Sequence, residues 1–232
     1  MAVSEQIPAR QTAARPASAV ASPLLVSSPH CPAAVLAAYR TLYTNVDLAI
    51  GAGEGRVLIV AAVDDAANAA LAAANLATVG AESGDRTLLV DADLQSAPLD
   101  RLFSADAGAG LTQLLRGEHG DLRDVTHPTT LPLLGLITTG VGGESPAGRL
   151  DRLGDLTNTL LRLKNAADRV LIVTAPVLSS GDAVRLAPHC DGIVLVVAAG
   201  RTTRANATRA RALLDRAKAP LLGVVLLPTT TT

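Results

Sequence analysis

The turn at Asp64-Asp65 lies between an apolar, strand-length run, Val57–Val63, and an alanine-rich run, Ala66–Glu82. In a strand–turn–helix unit, the turn after the first strand is the usual seat of a phosphate. Capture of a phosphate there needs close-approaching glycine backbone, a lysine and a hydroxyl. The stretch instead reads Asp64-Asp65-Ala66-Ala67-Asn68-Ala69-Ala70, and its carboxylates oppose an anionic ligand. A second carboxylate pair, Asp91 and Asp93, follows the apolar run Thr87–Val90. Two residues apart at a strand end, both point to the same side. The plain expectation is that Asp91 braces the neighbouring turn while Asp93 stands as a solvated loop acid. His30-Cys31 and His189-Cys190 supply metal-ligand residue types, but adjacent ligands lack the two to four intervening residues of structural zinc sites, so packing roles are expected.

Positioning these residues falls to alternating apolar runs and helical patterns. Val57–Val63, the helix Ala66–Glu82 and the strand Thr87–Val90 make a βαβ unit. Before it, Val35, Leu36, Tyr39, Leu42, Tyr43 and Val46 recur at helical spacing behind Pro32, and Gly51–Gly55 ends that helix. After it come short helices at Pro98–Phe103 and Leu111–Leu115, a strand at Leu133–Thr138, a glycine-rich loop at Gly140–Gly143 and a helix over Arg149–Leu163. The strand Val170–Val173, the helix Asp182–Pro188, the strand Ile193–Val197, the helix Thr203–Ala217 and the strand Leu221–Leu227 complete the pattern. Continuous apolar strands alternating with helices predict an α/β fold, a doubly wound, mostly parallel sheet covered on both faces. Residues 1–30, rich in Ala, Pro, Ser and Gln without periodicity, predict a disordered tail, and 31–232 a single domain.

Composition narrows the class. Aromatics are 1% of 232 residues against 49% apolar, so the core must be aliphatic. The net charge of −1 argues against a general polyanion-binding surface. Two cysteines imply no disulfide framework and suit a reducing cytoplasm. The longest apolar runs are too short to span a bilayer, and no secretory leader is expected. Cations gather on and beside one predicted helix, at Arg201, Arg204, Arg209, Arg211, Arg216 and Lys218. Its aliphatic face (Ala210, Leu213, Leu214, Ala217) suits a solvated amphipathic helix, and no aromatic side chain stands beside it to stack on bases.

A set of short motifs carries a resemblance. Ala38-Tyr39-Arg40-Thr41-Leu42 with Thr44-Asn45, Asn75-Leu76-Ala77, and Leu88-Leu89-Val90-Asp91-Ala92-Asp93-Leu94 occur in order. Gly110-Leu111 with Leu114–Gly117, Pro176-Val177-Leu178 with Asp182-Ala183, Asp191-Gly192, Gly200 with Thr202, and Leu222–Leu226 follow. From Pro29 to Leu227 the chain resembles the cytoplasmic P-loop tyrosine kinases of bacterial polysaccharide synthesis and export, within the partitioning-type ATPases with a deviant Walker A motif. The resemblance implies a P-loop NTPase-like fold, Mg-ATP as cofactor, and Asp91 and Asp93 at the positions that organise Mg²⁺ and activate the attacking hydroxyl.

The departures define the expected function. Counted back from Asn75, the family's loop glycines become Ala66 and Asn68, its lysine Ala69 and its Mg²⁺ hydroxyl Ala70. The family's basic residues after the second motif become Gln95 and Ser96, its strand-end Asp becomes Val173, and its adenine-facing Asn becomes Leu227. The tyrosine-rich tail that serves as substrate is replaced by Pro228–Thr232, and in the subunit-joining helix the Glu and second Arg positions read Ala37 and Tyr43 beside a retained Arg40. The expectation is a degenerate member: a non-catalytic pseudo-kinase with no cofactor, residual site positions Asp91 and Asp93, and no bound metal. It would be a cytoplasmic regulatory or scaffolding partner, docking to a membrane chain-length (co-polymerase) protein or to an active kinase relative, as a homo- or hetero-oligomer. Two alternatives stay open: an active tyrosine kinase or ATPase holding Mg-ATP unconventionally, and a partitioning-type nucleic-acid binder using the Arg204–Lys218 helix, with DNA the less expected partner.

Overall fold

Six hydrophobic runs pair side by side into one sheet, because strands apolar on both faces can be buried only between two layers of helix. The computed structural model describes residues 25–51, 53, 55–105, 108–141, 150 and 155–228. The strands are β1 (Arg56–Ala62), β2 (Thr87–Asp91), β3 (His127–Pro128), β4 (Leu134–Ile137), β5 (Arg169–Val173), β6 (Gly192–Ala198) and β7 (Leu221–Leu227). They form a sheet in the order β3-β4-β2-β5-β1-β6-β7. All neighbours are parallel except β3 with β4. The two-residue β3 was not legible as a strand, and it supplies the antiparallel edge of an otherwise parallel sheet.

The helices are α1 (Ala33–Ile50), α2 (Ala66–Glu82), α3 (Pro98–Leu102), α4 (Leu111–Leu115), α5 (Leu156–Ala166), α6 (Asp182–Leu186) and α7 (Arg204–Arg216). They divide the core into two apolar clusters, one on each face of the sheet. The predicted helix over Arg149–Leu163 is observed from Leu156; residues 142–149 and 151–154, with most of the glycine-rich loop, lie outside the described residues.

Alanine explains α2. Twelve of its residues, from Ala69 to Gly80 and Ala81 apart from Leu71, are buried, which only small side chains permit in a helix pressed between a sheet and another helix. On its outer side α1 docks through Tyr39, Tyr43 and Val46. Gly80 allows this approach, since a Cβ there would lie 3.0 Å from the Tyr43 ring. Leu25 and Val26 pack into the same cluster, and the Val26 amide donates to Asn75 Oδ1 at 2.9 Å. The packed part of the chain thus begins at least six residues before Cys31, where composition alone drew the boundary; residues 1–24 lie outside the described residues.

At the opposite edge, basic residues that open the strands meet acids. Arg86 forks onto Asp168 through Nε at 3.1 Å and Nη2 at 2.7 Å, and Arg56 and Lys164 flank Asp191 at 3.0 and 3.6 Å. Arg169, nearly buried, joins Asp47, Asp85 and the Gly53 carbonyl. This belt fixes the N-terminal ends of β1, β2 and β5 and leaves the C-terminal ends to form the candidate site.

Candidate functional site

In an open α/β sheet, ligands bind outside the carboxyl ends of the strands. Four segments meet there, and backbone hydrogen bonds stitch them together. The Ala92 amide donates to Val173 O at 2.8 Å, Val177 to Ala62 O at 2.9 Å and Val63 to Val196 O at 3.0 Å. The fold therefore brings the turn after β1, the Asp91–Asp93 corner, the Val173–Pro176 segment and the start of the β6–α7 loop into one place.

The turn after β1 spans only Val63–Asp65 before α2 begins. The positions corresponding to loop glycines, Ala66 and Asn68, are instead the first turn of a helix. Its N-cap is Asp65, whose carboxylate accepts from the Ala67 amide at 3.0 Å while its carbonyl accepts from Asn68 N at 3.2 Å. An aspartate cap satisfies free helix donors and sets a negative charge against the positive end of the helix dipole. The chain thus supplies its own anion where a phosphate would sit. Ala69 and Ala70, at the lysine and hydroxyl positions, are 0% and 1% exposed within the α2–sheet core. Asp64 is exposed, and its Oδ1 accepts from Thr202 Oγ1 at 2.8 Å.

Asp91 and Asp93 come together with the rest of the site, but both point into their own loop. Asp91, fully buried, accepts from Asp93 N at 3.0 Å and from Leu99 N, in the first turn of α3, at 2.7 Å. Burial pushes its carboxyl well above the usual carboxylate range, against the pull of those two amides. The expected bracing role is what the structure shows. The solvated role expected for Asp93 is not: it is 1% exposed, and its Oδ1 accepts from the Gln95 and Ser96 amides, each at 3.2 Å, while the Ser96 hydroxyl donates to Oδ2. Gln95 and Ser96 are the partners of an acid; their spacing, an acid followed by a small polar residue three positions on, is the signal of such a turn. The bond from Thr202 to Asp64 spans 138 positions and had no local signal.

Val173 is fully buried, Thr174 turns its hydroxyl onto the Ala175 carbonyl at 3.1 Å, and Leu227 packs into the core at 8% exposure. On α1, Ala37 is exposed, Arg40 reaches Glu82 only at 4.0 Å in solvent, and the Tyr43 hydroxyl donates to Asp85. Burial raises the pKa of both Tyr39 and Tyr43, further for Tyr43 where Asp85 adds to it. Among the described residues no cluster of three or more His, Cys, Asp or Glu side chains could hold a metal ion, and no helix is long and apolar enough to cross a membrane.

No family model matches the chain. Over 189 residues it is 29% identical to tyrosine-protein kinase CpsD of Streptococcus agalactiae, covering 81% of each protein. Over 188 residues it is 29% identical to tyrosine-protein kinase YwqD of Bacillus subtilis, covering 81% of this chain and 78% of that one. Among solved structures it superposes on the BceF tyrosine kinase domain with a TM-score of 0.71 at 28% identity, over 83% of this chain and 76% of that one. In sequence and in fold the chain is similar to bacterial tyrosine-protein kinases. At the carboxyl ends of its strands this chain carries a helix N-terminus capped by Asp65 and a carboxylate pair, Asp91 and Asp93, that accepts from backbone amides.

Proposed function

We propose that the chain is a non-catalytic member of its family, a pseudo-kinase that acts through protein contacts in exopolysaccharide or capsule biosynthesis. One observation carries this reading: α2 begins at Ala66, capped by Asp65, with alanines buried at positions 69 and 70. A phosphate would have to displace the Asp65 carboxylate and unwind the first helical turn, and it would then find neither lysine nor hydroxyl. Charged hydrogen bonds contribute about 1.5–3 kcal/mol each, so the loss of those two contacts costs on the order of 3–6 kcal/mol, or ~10²–10⁴ in affinity. The exposed carboxylate of Asp64 adds repulsion. Both tyrosines of the chain are buried on α1, which supports the same reading from the acceptor side.

The partner this reading calls for is a membrane chain-length protein or an active kinase of the same system, and the place of action the inner face of the membrane. Phosphotransfer from radiolabelled Mg-ATP tests the catalytic half of the proposal. Neither the chain nor an added tyrosine copolymer becomes labelled, whereas an active family kinase run alongside labels both. Tyrosine labelling of the copolymer by the purified chain overturns the reading.

A further inference from the structure

We infer that the α7–β7 edge of the sheet is a docking surface for an anionic lipid bilayer. Two independent features meet there. Arg201, Arg204, Arg209, Arg211, Arg216 and Lys218 are all exposed on or beside α7. The acid Asp215 on this helix pairs with Arg211 at 3.5 Å. Among the described residues, Arg201, Arg204, Arg209 and Lys218 take part in no ion pair closer than 4.0 Å, so their charge is free to face outward. In a chain of net charge −1, this is a strongly segregated cationic patch.

The second feature is apolar. β7 is the last strand of the sheet, paired on one side only, and its Val224 and Leu226 are 58% and 66% exposed. Register places Val224 beside Leu195 and Leu226 beside Val197. Leu195 belongs to the cluster that holds Ala210 and Leu214 of α7, and Val197 packs against it. The exposed pair therefore lies on the same face of the sheet as α7, the helix that carries the cations. No charged residue interrupts Ala219–Pro228. Cations flanking exposed aliphatic side chains fit a surface whose headgroups are anionic and whose interior accepts Val and Leu. A nucleic acid offers phosphates but nothing for Val224 and Leu226. Nor does this chain offer it a stacking platform, since its three aromatic side chains, Tyr39, Tyr43 and Phe103, are buried. The inference stands apart from the catalytic reading: of its residues only Arg201 lies in the β6–α7 loop that borders the candidate site, and the others lie on α7, just after it, or on β7.

The test is co-sedimentation of the full chain with vesicles of phosphatidylcholine alone or with about one third phosphatidylglycerol, at about 0.05 M and 0.5 M salt. The protein partitions onto the anionic vesicles at low salt, and leaves them at high salt or when the glycerol lipid is omitted. Each cation removed weakens partition about fivefold, so the triple variant Arg201→Gln/Arg204→Gln/Arg209→Gln loses ~10²-fold. Val224→Ser/Leu226→Ser weakens binding several-fold at unchanged charge. All five positions are exposed, and thermal melting checks that the variants stay folded. No partition onto anionic vesicles overturns the inference, as does equal partition of the arginine variant. Retention on duplex DNA without vesicle binding assigns the patch to nucleic acid instead. A concentration-dependent dimer that Val224→Ser/Leu226→Ser abolishes, again without vesicle binding, assigns the edge to a second copy of the chain.

Discussion

Replacing Asp91 by alanine separates a structural carboxylate from a catalytic one. In the structure the Asp91 carboxyl is the acceptor for two buried amides, those of Asp93 and Leu99, which are 1% and 0% exposed. Alanine leaves both donors without a partner, at about 1–3 kcal/mol each, so the gross loss is about 2–6 kcal/mol. Relief from burying a carboxyl whose pKa burial has raised offsets part of this, and a net loss of about 2–4 kcal/mol remains. For a domain of this size each kcal/mol lowers Tm by about 2–4 °C, which gives a drop of about 4–16 °C. Asp91→Asn keeps one oxygen acceptor and falls about half as far. The assay is thermal unfolding by circular dichroism, with and without millimolar Mg²⁺. A carboxylate that served chiefly to hold a cation would behave oppositely: its removal would relieve repulsion, leave Tm unchanged or raised, and abolish a Mg²⁺-dependent stabilisation of the parent. An unchanged Tm for Asp91→Ala refutes the bracing argument.

Other consequences follow from the same contacts. The Arg86 fork holds the Asp168 carboxyl below the usual carboxylate range; a depressed folded-state pKa gives stability that is present above pH ~4 and is lost as pH falls through the depressed value. The stability gap between the parent and Asp168→Asn, measured by urea unfolding, therefore narrows as pH is lowered from 6 through about 3; a gap that widens on acidification refutes it. Gly110→Ala places a Cβ 2.4 Å from Thr138 O and 2.5 Å from Gly140 N, both backbone atoms, and lowers stability by about 1–3 kcal/mol in the same assay. Ala69→Lys buries an ammonium in the α2–sheet core, so it destabilises by several kcal/mol and confers no nucleotide binding; Mg-ATP that raised the Tm of this single variant would contradict the helical reading of the loop.

Much of the fold was readable because its signals are local. The α2 boundaries, Ala66 and Glu82, and the limits of α4 and β7 follow from apolar runs bounded by Asp, Ser, Gly and Pro. The want of glycine, lysine and hydroxyl residues across Asp64–Ala70 was equally plain, since it depends on residue types alone. What could not be read depends on contacts far apart in sequence. Asp93 looked solvated because nothing local announces that the loop closes over it. Leu25 and Val26 looked like tail, yet an amide of that segment finds Asn75 across 49 positions. The Arg169 link to Asp47 spans 122 positions. Strand β3, with two residues, has no periodicity to detect. The basic helix α7 read as a solvated face; only the register of β7 set exposed Val224 and Leu226 on the same face of the sheet.

The most direct test of the central claim is calorimetric titration of the purified chain with ATP and with ADP, each with Mg²⁺, up to millimolar concentration. With the phosphate position capped by Asp65 and the lysine and hydroxyl positions filled by buried alanines, no binding heat appears and Tm does not shift. A dissociation constant of about tens of micromolar or tighter contradicts the account, because the ~10²–10⁴ loss expected from the missing contacts leaves no room for it.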